Sequence, residues 1–328
     1  MSADEKEQAV NKWLTEYLVK KIGGFDDKSP KFKYQYSRLS LALLDVLNRL
    51  CNEFSESSFV PCDFELAIGG KKEPHVPAYT IDLDSGGEIR ISGSIDRVDK
   101  YEKDGTAYIR IVDYKSGGKE FVLSDILEGL NMQMLIYLFA IWEGGEERYG
   151  NVTPGGIMYY PAKRSYVKMS RKDMSPDEQQ TEKEKQDLSN GLFLMNSDML
   201  EAMEHGVKGK YISIVTGRGK LKDNLITLQS MGFLKKRIDD VLKNMATDLQ
   251  TGKIPAFPVS GKNYEHTCDY CDYSSVCRIE DSDTKDIPKL SNADVLTILQ
   301  DEYGSSEEKS EFEKGTEAVT KEGAGNEQ

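Results

Sequence analysis

No stretch of this sequence is apolar over the roughly 18 residues needed to cross a bilayer as a helix, so no transmembrane helix is expected. The N-terminus, MSADEKEQAVNKW, is polar and charged and lacks the apolar core of a secretory signal. The expected compartment is therefore the cytoplasm. Cysteine is sparse there, five in 328 residues, and reads as free thiols or metal ligands rather than disulfides. A phosphate-binding loop is missing: Gly217-Arg218-Gly219-Lys220-Leu221 has neither the spacing nor the Ser/Thr such a loop requires. The chain is thus not expected to hydrolyse ATP by itself. There is no internal repeat. The excess of Lys and Arg usual in nucleic-acid binders is also absent, with 43 basic residues against 56 acidic and a net charge of -13.

Where that charge sits changes its meaning. Residues 281–328 hold 13 Asp and Glu against 5 Lys, which accounts for eight of the thirteen net negative charges. The body is only mildly acidic, and a local field in a groove can still attract phosphate. The tail is poor in aromatics and reads as mostly disordered, with a short helix possible over Pro288–Tyr303.

Periodicity divides the body. Residues 4–21 have Val10, Trp13, Leu14, Tyr17 and Leu18 at helical spacing. A second helix is expected from Lys31 to Glu56, with Leu39, Leu43, Leu47, Leu50 and Phe54 on one stripe. Phe59–Ile68 reads as extended, and Glu88–Tyr101 alternates. Lys103-Asp104-Gly105 is a hairpin signal, followed by a return strand over Thr106–Tyr114. Helix is expected over 122–143 and a buried strand over Gly155–Tyr160. Residues 161–222 read as a polar excursion from the sheet with a short helix near Asp198–Glu204. A long amphipathic helix follows from Asn224 to Thr251.

The hairpin carries the chemistry. One strand contains Gly93-Ser94-Ile95-Asp96-Arg97-Val98-Asp99, the other Ile111-Val112-Asp113-Tyr114-Lys115-Ser116-Gly117. Residues two apart in a strand share a face, so Asp113 and Lys115 point one way and Tyr114 the other. Pairing across the turn can bring Asp96 beside Asp113. Two carboxylates offer hard oxygen ligands to Mg²⁺ or Mn²⁺. The metal would polarise a phosphate and activate a water, and the ammonium could orient that water and offset developing charge. A lone Asp-x-Lys is usually a solvated strand face. Here the apolar Ile111-Val112 before it and the Ser116-Gly117-Gly118 turn after it place the charges at a strand end.

The second signal is His266-Thr267-Cys268-Asp269-Tyr270-Cys271-Asp272-Tyr273-Ser274-Ser275-Val276-Cys277-Arg278. The C-x2-C-x5-C spacing puts three thiolates in one compact loop, which suits a metal or an iron–sulfur cluster. Zinc, with His266 completing a Cys₃His set, is the competing reading.

The hairpin resembles that of the PD-(D/E)xK nuclease superfamily in its RecB-like branch. Gln133-Met134-Leu135-Ile136-Tyr137 matches the Q-x3-Y element of that branch, 18 residues after Lys115. Glu65, in Phe64-Glu65-Leu66, matches the acidic residue that precedes the hairpin there. The core, the long helix and the cysteine run together resemble the C-terminal nuclease domain of the AddB family, a component of AddAB ATP-dependent helicase/nucleases. The resemblance covers roughly residues 10–280. It implies an α/β restriction-endonuclease-like core, a mixed central sheet flanked by helices, closed by a C-terminal iron–sulfur loop.

The resemblance also implies Asp96 and Asp113 as metal ligands, Lys115 as the water-orienting group, and Gln133 and Tyr137 as supports or DNA contacts. Cys268, Cys271 and Cys277 would ligate a [4Fe-4S] cluster. The implied role is DNA end resection in double-strand-break repair beside an AddA-type helicase/nuclease subunit, with the 5′-ending strand degraded. The organisation that follows is a helical segment 1–58, a nuclease core 59–251, a cysteine-rich loop 252–280 and the tail 281–328. The family's fourth cluster cysteine, in a Cys-Pro-Phe context, and its metal-binding G-x3-H histidine have no counterpart. Cys51 and Cys62 lack that context and read as buried small residues, and His75, His205 and His266 follow no matching Gly. The chain therefore reads as an N-terminally truncated or split subunit. Two rivals stand beside this reading: a CRISPR-associated RecB-like exonuclease, and an inactive DNA-end-binding or scaffold fragment with a cysteine-rich module.

Overall fold

A computed structural model describes residues 2–304 apart from 26, 71–72, 74, 118–120, 163–174, 217–218, 261–267, 270, 278 and 280–283. Helix α1 (Ala3–Tyr17) opens on a Ser2 capping box and ends in a π-turn over Leu18–Ile22. Helix α2 (Pro30–Ser55) is capped by Ser29, with proline in its first turn. The strands β1 (Val60–Ile68), β2 (His75–Val76), β3 (Tyr79–Asp82), β4 (Glu88–Ile91), β5 (Gly93–Lys103) and β6 (Thr106–Lys115) follow. A 3₁₀ helix over Leu123–Glu128 precedes α3 (Gln133–Gly144), α4 (Glu146–Tyr149) and β7 (Asn151–Pro161). Then come α5 (Pro176–Gln186), β8 (Asn190–Leu194), α6 (Ser197–Met203), β9 (Leu225–Ile226) and α7 (Leu228–Gln250). The last elements are β10 (Val259–Ser260), α8 (Ser274–Cys277), β11 (Lys285–Asp286) and α9 (Asn292–Tyr303).

Seven strands form one mixed sheet in the order β2-β1-β5-β6-β7-β8-β9. The β5–β6 and β7–β8 pairs are antiparallel, while β6–β7 is parallel and requires the crossover through α3. This is the expected α/β class with a mixed central sheet flanked by helices. The hairpin turn is tight: Asp104 and Gly105 both take positive φ, 51° and 74°, the type I′ geometry that favours Asp-Gly.

The chain divides into two compact units. One comprises Met1–Leu66, Ser94–Phe121 and Tyr149–Leu225; the other Ala67–Gly93, Val122–Arg148 and Ile226 onward. In the first unit, the core gathers Phe59, Val112, Met158, Tyr160, Phe193, Met199, Met203 and Ile212, with Val46 and Leu50 of α2 packed against it. Leu39 and Leu43, on the same predicted stripe, are exposed. In the second unit, Met134 to Ile141 of α3 are all buried, as in a helix enclosed on every side.

Two expectations shift, and the short helix allowed within the tail is formed. The helix expected over 122–143 is two pieces, because Gly129 and Asn131 take positive φ, 78° and 53°, between the 3₁₀ helix and α3. Within 161–222, Asn190–Leu194 is not outside the sheet but pairs with β7 as β8. In the tail, α9 is a formed helix, with Val295 and Leu299 fully buried and Arg237 of α7 bonded to Glu302 at 3.3 Å. Residues 305–328 lie outside the described residues. Among the described residues, no helix is long and apolar enough to cross a membrane.

Candidate metal centre

The β5–β6 register runs from Lys103↔Thr106 at the turn to Arg97↔Val112. One further step sets Asp96 opposite Asp113. Directly opposed residues share a face, so Asp96, Val98, Ile111, Asp113 and Lys115 line one side of the hairpin. Arg97, Asp99, Arg110, Val112 and Tyr114 line the other.

On the first side, Lys115 Nζ lies 2.6 Å from Asp113 Oδ2. Asp113 keeps about a fifth of its side-chain surface exposed, 21%, although Oδ2 itself is buried. Asp96 Oδ2 accepts a hydrogen bond from the Tyr114 backbone N–H at 3.0 Å, which turns this carboxylate toward the end of β6. Asp96, Asp113 and Lys115 are all half-buried. Tyr159 sits beside Asp113 in the parallel register with β7, and the Lys115 ammonium lies 5.5 Å from its ring centroid. Burial, with the Asp113 charge added, pushes the Tyr159 hydroxyl up to about 12. It stays a neutral donor over the working pH range. Tyr159 was invisible to sequence reading, since only the non-local β6–β7 pairing puts it there.

The second side is a closed charge network. Arg97 and Arg110 are 1% and 0% exposed, and Asp99 is 0%. Asp99 accepts from Arg97 Nη2 at 3.0 Å and from Arg110 Nη2 at 2.8 Å and Nε at 3.2 Å. Arg110 also reaches Glu53 of α2 at 3.5 Å. Arg97 Nη1 donates to the Tyr114 hydroxyl at 2.7 Å, and its guanidinium stacks near Phe54, Tyr114 and Tyr160. Burial pushes the Glu53 carboxyl up, against the opposing pull of Arg110 and Arg97. Sequence reading assigned nothing to these residues, although Arg97 and Asp99 lie inside the recognised motif.

The other predicted residues separate. Glu65 is exposed on β1 with φ 51°, an irregular position inside a strand. Gln133 and Tyr137 belong to the second unit, where Gln133 Nε2 donates to the Tyr137 hydroxyl at 3.1 Å. The Tyr137 ring lies against Gly93, the first residue of β5: a Cβ there would overlap its hydroxyl and ring carbons. The Q-x3-Y element and the glycine of the hairpin motif are thus one packing unit. Gly118, of the expected turn, lies outside the described residues.

Cys268, Cys271 and Cys277 are all exposed. A turn, in which the Cys271 N–H donates to the Cys268 carbonyl at 3.2 Å, leads into the single helical turn α8 that carries Cys277. His266 lies outside the described residues. Cys62, expected to be buried, is exposed, with Sγ 3.3 Å from the Val98 carbonyl. Among the described residues, no group of three or more His, Cys, Asp and Glu side chains is arranged to hold a metal ion. The Asp96 and Asp113 pair is nonetheless a donor set that fits Mg²⁺, which takes one or two carboxylates and fills its remaining positions with water and substrate phosphate.

A mixed α/β sheet whose antiparallel hairpin ends in Asp, Asp and Lys on one face defines a nuclease-type core. The chain belongs to the PD-(D/E)XK nuclease superfamily, whose family model matches residues 2–278. It is 34% identical over 274 residues to AddB, a component of the ATP-dependent helicase/deoxyribonuclease, of Thermoanaerobacter sp. (strain X514), a match that covers 82% of this chain and 23% of that protein. The same protein of Caldanaerobacter subterraneus subsp. tengcongensis is 35% identical over 273 residues, 81% of this chain and 23% of its own. That of Clostridioides difficile (strain 630) is 29% identical over 301 residues, covering 88% and 26%. The chain therefore spans about a quarter of the length of these relatives.

Proposed function

We propose that this chain is the metal-dependent DNA exonuclease domain of an AddAB-type helicase/nuclease. The observation that carries this reading is the Asp113–Lys115 ion pair at 2.6 Å with the Asp96 carboxylate turned toward the same strand end. Asp96 and Asp113 would hold Mg²⁺ or Mn²⁺. The cation, when bound, supplies Lewis-acid polarisation of the scissile phosphate and a water of lowered pKa. Lys115 orients the attacking water and offsets charge growing on the phosphate oxygens. Tyr159 walls the ammonium on one side and limits where it can swing. Gln133 and Tyr137 would support the site or contact the DNA.

The names of the relatives support a DNA substrate and a second subunit of AddA type. In that setting the domain acts on double-strand ends and single strands during double-strand-break repair and recombination, degrading the 5′-ending strand. Cys268, Cys271 and Cys277 supply three soft ligands for a [4Fe-4S] cluster. A brown protein carrying iron and sulfide supports that cofactor, and a colourless one carrying zinc replaces it. The catalytic reading is tested on linear duplex DNA with Mg²⁺: Asp113→Ala and Lys115→Ala should each abolish cleavage while the protein stays folded. Full activity in either purified variant sinks the assignment.

A further inference from the structure

Tyr114 makes contacts on both faces of the hairpin. Its side chain lies in the buried network, where its hydroxyl accepts from Arg97 Nη1 at 2.7 Å and its ring packs edge-on against Tyr160 at 5.6 Å. Its backbone N–H, on the other side, donates to Asp96 Oδ2 at 3.0 Å. The β5–β6 ladder pairs run from Lys103↔Thr106 to Arg97↔Val112. Beyond them, the strand ends are tied by two side chains of β5: Asp96 reaches the Tyr114 backbone and Arg97 reaches the Tyr114 hydroxyl.

Strand β6 itself is held by β7 as far as Lys115↔Pro161. Strand β5 has β1 on its other edge, so what the ladders leave to be fixed is the direction of the Asp96 carboxylate. Arg97 is suited to fixing it. Its planar guanidinium donates from Nη2 to Asp99 at 3.0 Å and is ion-paired with the same carboxylate 2.8 Å from Nε, which fixes the plane in which Nη1 points. Asp99 is locked in turn by Arg110.

We propose that Arg97 and Tyr114 are positioning residues for the divalent-cation site: their hydrogen bond ties the Asp96 end of β5 to Tyr114, whose N–H aims the Asp96 carboxylate. The role rests on the metal-dependent reading above and adds two residues to it, neither of which touches substrate or metal. It resembles the outer-shell control of metal ligands, where removing one supporting hydrogen bond weakens metal affinity while the ligands remain.

The test uses the full chain with Tyr114→Phe, which removes one hydroxyl, and Arg97→Lys, which removes the fork. Mn²⁺ binding without DNA is followed by loss of the free-ion electron paramagnetic resonance signal. The Mg²⁺ dependence of cleavage and the cooperativity of thermal unfolding are measured alongside. Tyr114→Phe should unfold cooperatively and bind Mn²⁺ about tenfold more weakly. The Mg²⁺ concentration for half-maximal cleavage should rise in step, and kcat at saturating Mg²⁺ should fall far less. A purely structural role would lower the melting temperature and leave the metal isotherm of the folded fraction unmoved, which would overturn the proposal. If Arg97→Lys does not fold, Tyr114→Phe alone decides. Asp113→Ala separates the two claims. If the wild type takes up Mn²⁺ in an Asp113-dependent way and Tyr114→Phe binds identically, only the positioning role falls. If the wild type takes up none, the proposed function falls with it.

Discussion

Gly93→Ala is the substitution whose cost the structure fixes most directly. Gly93 opens β5 with φ outside the left-handed region, so its backbone would accept alanine without strain. The obstacle is purely steric, because a Cβ would overlap the Tyr137 hydroxyl and the two adjoining ring carbons. Tyr137 is 8% exposed, its hydroxyl is held by Gln133, and its helical neighbours from Met134 to Ile141 are all buried. The ring cannot swing away without moving α3. Overpacking of this kind costs about 1–3 kcal/mol. A Gly→Ala change at a compatible position returns about 0.4–1 kcal/mol through the unfolded chain, so a net loss of about 1 kcal/mol is expected.

Tyr137→Leu alone should cost about 2–4 kcal/mol for the lost ring. In the double variant the leucine leaves room that the new methyl occupies. The two losses should then fall short of additive by about 1–2 kcal/mol. Urea unfolding of the four proteins measures this cycle, with cleavage followed in parallel, since Asp96 lies three residues along the same strand. A Gly93→Ala protein as stable as wild type, or losses that simply add, would refute the packing argument.

Glu204, 2% exposed, accepts from the backbone N–H groups of Lys210, Tyr211 and Ile212 at 2.7, 3.1 and 3.3 Å. Glu204→Ala should cost about 3 kcal/mol and speed amide exchange at those three residues, which mass spectrometry or NMR would report. Leu299→Ala in α9 should destabilise by about 2–5 kcal/mol, a loss not expected of a disordered tail, as read from a thermal melt. For Glu53, burial raises the folded carboxyl above its ordinary value of 4.5. Its contribution to stability is then fully present below that value and lost as pH rises through the folded one. Wild type should lose more stability than Glu53→Gln as pH rises above the ordinary carboxyl value, measured by urea midpoints.

Local chemistry made much of this fold legible. Ser29-Pro30 starts α2, Asp104-Gly105 turns the hairpin, and two-residue alternation placed Asp113 and Lys115 on one face. What stayed hidden depends on contacts distant in sequence. Tyr159 meets Lys115 through a parallel pairing that spans α3. Gln133 and Tyr137 looked like two polar groups on a helix face, but Tyr137 is buried against Gly93. Alternation also cannot distinguish a buried Arg97 from a solvated one, because the pattern records polarity and not partners.

The two faces of the hairpin have to be read together. A slip of one residue would exchange them, sending Arg97 and Asp99 to the side of the proposed metal and Asp96 into the core. The turn sets the register at Lys103↔Thr106, but Asp96 lies seven residues back along β5, about 23 Å away at strand spacing. A turn at that distance specifies which residues pair and not where a carboxylate points. The Asp99–Arg110 pair, opposed in the ladder and bonded at 2.8 Å, stands three residues from Asp96. In a slipped register Arg110 of β6 would leave its partner on β5, stranding buried charge at about 3–5 kcal/mol. Two arginines of an acidic protein are thereby withdrawn from any contact with phosphate. Their charge instead fixes the alignment on which the opposite, carboxylate-bearing face depends.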